Sequence, residues 1–221
     1  MSVPEEIFRQ INKITADLIG LSLCDDQNFP SLCDHRNGIC EVGIGECGNI
    51  SYALKNVSYH DIYREMERTR AYNVRMIDGA LIHMMYRFSD NQVRAHRLSF
   101  FPSPDLEEFQ NNPDVYLEDE IYAEVVMRNI VPFPFRFDYD CSEEKFKEID
   151  HPKSHLTLGQ YQNCRIPVSA PVTPYYFIEF ILKNFYNTAY LKYCDKITPF
   201  AYHFERSITN REMSMIYIEV P

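Results

Sequence analysis

The sequence predicts an α+β fold: a largely antiparallel sheet packed with an N-terminal helix and a long C-terminal helix. Three observations lead there. Helical periodicity opens the chain, period-two alternation dominates its middle, and a second capped helical stretch begins near residue 173. The strands come in one run and do not alternate regularly with helices, which favours antiparallel pairing.

Ser2, with Pro4 and Glu5 behind it, reads as an N-cap with its acidic partner, and Ile7, Ile11, Ile14 and Leu18 recur at helical spacing before Gly20. Residues 24–54 are loop-rich, with extended pieces at 39–44 and 50–54. Ser58 and Asp61 start a second helix that runs to about Arg70. In the meander of residues 72–101, Ala80, Ile82, Met84, Tyr86 and Phe88 alternate with other residues, as one face of a strand should. Ser89-Asp90-Asn91 turns the chain into the next strand, which Pro102-Ser103-Pro104 ends. A short helix at 105–110 and a strand at 121–127 follow. The clearest alternation is Phe133, Phe135, Phe137 and Tyr139 on one face against Arg136, Asp138 and Asp140 on the other. A short helix over 142–149, an extended pair, a helix from Thr173-Pro174 to about Tyr193 and a last strand at 213–220 complete the prediction. With no repeat and no Gly/Ser linker, residues 1–221 are expected to form a single domain.

Composition narrows the class. The chain has 16 Tyr and 15 Phe against seven Gly, so an aromatic core with Tyr hydroxyls partnered at its edges is expected. A net charge of −10 disfavours a protein that coats nucleic acid by bulk attraction and disfavours a membrane surface, but it leaves room for a local basic site. Seven cysteines, an odd number, stand in a chain whose opening reads as a capped helix and not as a signal peptide. That combination predicts free thiols in a reducing, cytoplasmic setting. No run approaches the roughly 18 uninterrupted apolar residues of a membrane span. The most apolar segment, from Tyr175, carries Glu179 and Lys183 and reads as a core helix.

The densest candidate site joins Arg136 and Asp138 to His151-Pro-Lys153-Ser-His155-Leu-Thr157-Leu-Gly159 and to Cys164-Arg165. In extended chain, His155 and Thr157 share one face, as Arg136 and Asp138 share theirs. Gly159 can open a hairpin turn that brings Arg165 beside His155, with the Arg136 strand alongside. Imidazole can move a proton near neutral pH, and guanidinium can grip phosphate at two points. His155, Arg136, Asp138 and Arg165 are therefore the catalytic candidates, with His151, Lys153, Thr157 and Arg97 as binding candidates. The competing reading is structural: an Arg–Asp pair on a sheet and a satisfied turn histidine need no chemistry.

Other patterns are weaker. His155-Leu-Thr157 is half of a two-histidine phosphoesterase signature, and neither His96-Arg-Leu nor His203-Phe-Glu supplies the other half. Cys24, Cys33, Cys40 and Cys47 with His35 suggest zinc, yet their gaps of eight, six and six residues lack a Cys-x-x-Cys pair. The acidic, aromatic stretch 114–124 reads as a solvated loop and strand edge. With no Gly-rich phosphate loop, Ser-His-Asp spacing or nucleotide fingerprint, no metal and no cofactor is predicted.

The run from His151 to Gln160, with Asn163-Cys-Arg-Ile-Pro-Val168 and Phe177-Ile-Glu-Phe-Ile181, resembles a bacterial family known only as a domain of unknown function. Asp78-Gly79, His96-Arg97-Leu98, Pro102-Ser103-Pro104 and Arg136-Phe137-Asp138 fit the same family, so the resemblance covers most of the chain. It implies a genomic setting near restriction and anti-phage systems. A more distant similarity to small TumE-type toxins matches Arg136, Asp138, Pro152 and His155, although Lys153-Ser154 replaces part of their His-rich run. Three functions are consistent with these features. One is an accessory or toxin-like effector acting on RNA or nucleotides through a metal-independent His/Arg site. The others are a partner-binding subunit for a protein encoded nearby and a sensor of an anionic small ligand.

Overall fold

A computed structural model describes residues 1–35, 38–44, 57–104, 133–161 and 163–221. The expected segments at 50–54, 105–110, 114–124 and 121–127, and Cys47, lie outside the described residues. Helix α1 spans Val3–Gly20, α2 Tyr59–Thr69, α3 Pro174–Phe185, α4 Asn187–Tyr193 and α5 Asn210–Met213. Strands β1 (Cys24–Gln27), β2 (Ser31–Asp34), β3 (Ile39–Gly43), β4 (Val74–Met76) and β5 (Leu81–Ser89) come first. They are followed by β6 (Gln92–Phe101), β7 (Phe135–Asp140), β8 (Ser154–Leu158) and β9 (Ile166–Pro167). These strands form one sheet in the order β1-β4-β5-β6-β7-β8-β9, with β3 also on β5 and β2 beyond it. All its ladders are antiparallel, so the fold is α+β as the sequence predicts.

Local signals explain the regular parts. Ser2 caps α1 in a reciprocal box: its Oγ accepts from Glu5 N–H, and the Glu5 carboxylate accepts from Ser2 N–H at 2.8 Å. Asp90 and Asn91 have φ of 53° and 61°, the left-handed pair that a two-residue hairpin loop needs, and β5 pairs with β6 directly across them. Asn91 Oδ1 also accepts from Val3 N–H at 2.7 Å, tying this hairpin to the start of α1.

The sheet presents two chemically different faces. Ile82, Met84, Phe100, Phe135 and Phe137 pack against Ile7, Ile11 and Ile14 of α1 and Phe177 and Ile181 of α3 in the main apolar cluster. The alternate residues turn the other way. Leu81 and Phe101 meet Ile62, Tyr63 and Met66 of α2 in a smaller cluster, and His83, Arg97, Arg136, Asp138 and His155 stand further along that face.

Three sequence expectations are corrected. Residues 142–149 form turns instead of a helix. The Asp140 carboxylate takes the Ser142 N–H and the Lys145 ammonium, and Lys147 and His151 close a tight turn with two backbone bonds. The long helix breaks at Tyr186, whose backbone leaves the helical region at φ −136° and whose hydroxyl donates to the buried Asp78 carboxylate at 2.7 Å, and the chain restarts as α4. The last segment is no strand. Thr209 and Glu212 make a capping box that winds α5, and Ile218 then meets Val168 in a single parallel bridge.

Candidate functional site

Strand register decides which polar residues meet. Arg97 of β6 stands opposite Asp138 of β7, which stands opposite His155 of β8. In the adjacent row His83, Ser99, Arg136 and Thr157 follow one another across β5 to β8. Both rows lie on the face away from α1 and α3, because each of these residues alternates with a core aromatic or aliphatic neighbour. His96 belongs to the opposite face. Its Nε2 accepts the Val172 N–H at 3.0 Å and its ring packs on Tyr86, so it is a core histidine and not part of the Arg97 surface.

Asp138 is the hub. Its two oxygens accept from Arg97 Nε at 2.8 Å and from Arg136 Nε at 2.6 Å. All three side chains are mostly buried, at 26%, 15% and 14% exposed for Arg97, Arg136 and Asp138. Burial alone would raise the Asp138 pKa, but the two guanidinium charges outweigh it and hold the carboxyl below its usual range. One carboxylate facing two guanidinium groups leaves a local charge of +1. The terminal Nη groups of both arginines have no hydrogen-bond partner among the described residues.

His155 is buried beside this hub. Its Nδ1 lies 2.9 Å from the Pro152 carbonyl, which can only accept, so Nδ1 carries the proton and Nε2 the lone pair. Burial lowers its pKa and Asp138 opposes that, with a net depression that keeps the ring neutral near pH 7. His151 is 5.1 Å away, centroid to centroid, and is likewise depressed by burial and then by Arg165.

The other predicted residues are arranged around this centre. Thr157 is buried across from Arg136. Lys153 leaves the site: its ammonium pairs with Glu143 at 2.5 Å and lies over the Phe146 ring. Gly159 does open the turn after β8, at φ +58°, and the β8–β9 register continued by one residue sets Arg165 beside Thr157. The Arg165 guanidinium nevertheless reaches the Asp150 carbonyl at 3.5 Å and stays outside the Asp138 hub. There it lines a groove of about 720 Å³ with Lys145, Lys147, Ile149, His151 and Asn163, bordered by the acidic Glu144 and Asp150.

The sequence reading left two residues out of the site. Ser99 Oγ, buried next to Arg136, and His83 Nδ1, one strand further on, have no hydrogen-bond partner among the described residues. Burial and then Arg97 push the His83 pKa down to about 3. Their shared parity with Arg97 and Arg136 was the available signal. Of the thiols weighed for zinc, Cys24 and Cys40 are pushed up to about 11 by burial and by neighbouring carboxylates, and so stay protonated. Among the described residues no three His, Cys, Asp or Glu side chains gather as a metal would require.

The model of a family of uncharacterized conserved proteins, DUF2290, matches residues 23–220. The chain belongs to that family. The match takes in the whole of this polar sheet face, from β1 to β9, so the Arg97–Asp138–His155 row is built by family sequence throughout. No curated protein and no solved structure matches the chain. Among the described residues no helix is long and apolar enough to cross a membrane.

Proposed function

We propose that this DUF2290 protein is an effector that binds RNA or a nucleotide at the Arg97–Arg136–His155 face. One observation carries the reading: a single carboxylate orients two guanidinium groups through Nε alone, beside a neutral imidazole whose Nε2 is a lone-pair acceptor. Guanidinium groups whose Nη atoms have no partner among the described residues match the oxygens of a phosphate, and their preset orientation lowers the cost of gripping it. His155 Nε2 then takes the proton of a ribose 2′-hydroxyl as the hydroxyl oxygen attacks the adjacent phosphorus. The bond to the 5′-oxygen breaks, that oxygen leaves with a proton from water, and the arginines stabilise charge growing on the phosphate oxygens. Asp138 positions both arginines and does not itself react. A cytoplasmic, toxin-like or defence-associated role is part of this proposal, drawn from the resemblance to TumE-type toxins, and the site as proposed works without a metal.

The test incubates purified protein with labelled RNA and with nucleotides, alongside the His155→Ala and Arg136→Ala variants. Cleavage or modification by wild type, lost in His155→Ala at an unchanged melting temperature, is the expected result. Phosphate binding that survives in His155→Ala but disappears in Arg136→Ala, with no product in any sample, would make the protein an anion sensor instead.

A second reading draws on a different surface. Met213, Met215 and Ile216 are 37%, 46% and 89% exposed within four residues at and just after the end of α5. Apolar side chains clustered this way suit contact with another protein. In that reading the chain is an accessory subunit, and Ile216→Asp abolishes co-purification with a neighbouring gene product while Arg136→Ala does not.

A further inference from the structure

We infer that the groove beside His151 holds a second phosphate, so that the ligand of this face is a single-stranded oligonucleotide and not a lone mononucleotide. The inference rests on the phosphate-binding reading of the Arg97–Arg136 cradle and names its substrate class.

The groove adjoins that cradle through the two imidazoles, His155 on the cradle side and His151 in the groove wall, 5.1 Å apart. A backbone leaving the arginines past His155 therefore enters the groove directly. Its cations are available. Lys147 and Arg165 have no carboxylate partner among the described residues, whereas Arg68, Arg70 and Arg87 are each locked onto one, as is Lys145 onto Asp140 in the groove itself. On a chain of net charge −10, a concave site lined by three cations, Lys145, Lys147 and Arg165, against two acids is a local exception of the kind that phosphate contact requires. Glu144 and Asp150 limit the surplus to a narrow track, which suits one strand and not the broad surface of a duplex. Asn163 adds an amide able to donate to and accept from a ribose or base edge.

The rim is also rigid. Lys147 N–H donates to the His151 carbonyl at 3.1 Å and His151 N–H to the Lys147 carbonyl at 2.7 Å. Between them Ile149 is held at φ +75°, a left-handed conformation unfavourable for a β-branched side chain. Such strain persists only where the surroundings over-determine it, and it gathers at ligand clamps.

The experiment titrates the full chain with uridine monophosphate and with an eight-nucleotide single-stranded uridine oligomer, at several salt concentrations. Wild type should bind the oligomer more tightly. In Lys147→Ala/Arg165→Ala the ratio of oligomer to monophosphate affinity should fall at least ten-fold, and the salt slope for the oligomer should drop by about 1.4, or roughly 0.7 for each lost single-strand contact. In Arg136→Ala both affinities should fall together and the ratio should hold. A ratio unchanged in the double variant overturns the groove inference and leaves the cradle standing. Monophosphate binding insensitive to Arg136→Ala overturns the cradle, and binding of neither probe overturns both. Competition by polyglutamate as effective as by the oligomer would assign the groove to an acidic protein segment and also sink the inference.

Discussion

Asp138 and His155 face each other across the β7–β8 ladder, and the carboxylate resists the loss of basicity that burial imposes on the imidazole. Burial weighs more heavily on two other histidines, where Asp138 opposes it too but less effectively. His83 and His96 are both pushed down to about 3, against an ordinary value of 6.5.

Acid should therefore destabilise the fold well above the carboxylate range. A histidine with a depressed native pKa stays neutral in the fold while the unfolded chain takes up a proton below pH 6.5, so stability falls as pH drops from about 6.5 toward 3. Between pH 7 and 5 each of the two should cost about 2 kcal/mol. Urea unfolding at the two pH values measures the loss, to which the depressed His151 and His155 also contribute, and His83→Asn should remove about 2 kcal/mol of it. An undiminished loss in that variant would show that His83 is not held neutral.

The arginine fork makes a coupling prediction. Asp138→Ala should destabilise by about 2–3 kcal/mol, because it leaves two mostly buried guanidinium charges facing each other, discounted for their partial exposure. A double-mutant cycle of Asp138→Ala with Arg97→Ala should return a coupling above about 1 kcal/mol. Additive losses would mean that the 2.8 Å contact is energetically idle.

Ile149 offers a substitution that should stabilise. At φ +75° a β-branched residue carries strain of about 1–2 kcal/mol, and Asn tolerates that conformation better. Ile149→Asn should raise the melting temperature and sharpen no other property of the core. A lower melting temperature would show that its half-buried side chain contributes more than its backbone costs.

Cooperativity tests the organisation. The main apolar cluster runs from Ile7 of α1 through β5, β6 and β7 to Leu182 of α3 and on to Phe204. Far-UV circular dichroism and tyrosine fluorescence should lose amplitude together in denaturant, as expected of one domain. Two separated transitions would divide it.

Much of the scaffold was legible because its signals are local. Ser2-x-x-Glu5, Ser58-x-x-Asp61 and Thr173-Pro174 each mark a helix start whose hydrogen bonds close within four residues. Thr209-x-x-Glu212 carried the same kind of signal, and it decided α5 where apolar content alone suggested a strand. Residues 142–149 misled for the converse reason. Their composition suits a helix, but Asp140 and the Lys147–His151 bonds offer the backbone a better set of partners.

Of the site, the sequence by itself determined which way each side chain turns. Alternation separates Arg136 and Asp138 from Phe135 and Phe137, and it separates Arg97 from His96, since successive residues of a strand must point to opposite faces. Which strands become neighbours was decided only by the tertiary structure. Arg97 reaches Asp138 from 41 positions away, and His83 and Ser99 join Arg136 only through the β5–β6–β7 register. The Tyr186 hydroxyl likewise reaches Asp78 from 108 positions away. Pairing across such distances is set by how the whole apolar face closes on α1 and α3, a global packing balance to which no short stretch of sequence contributes enough energy to be read alone.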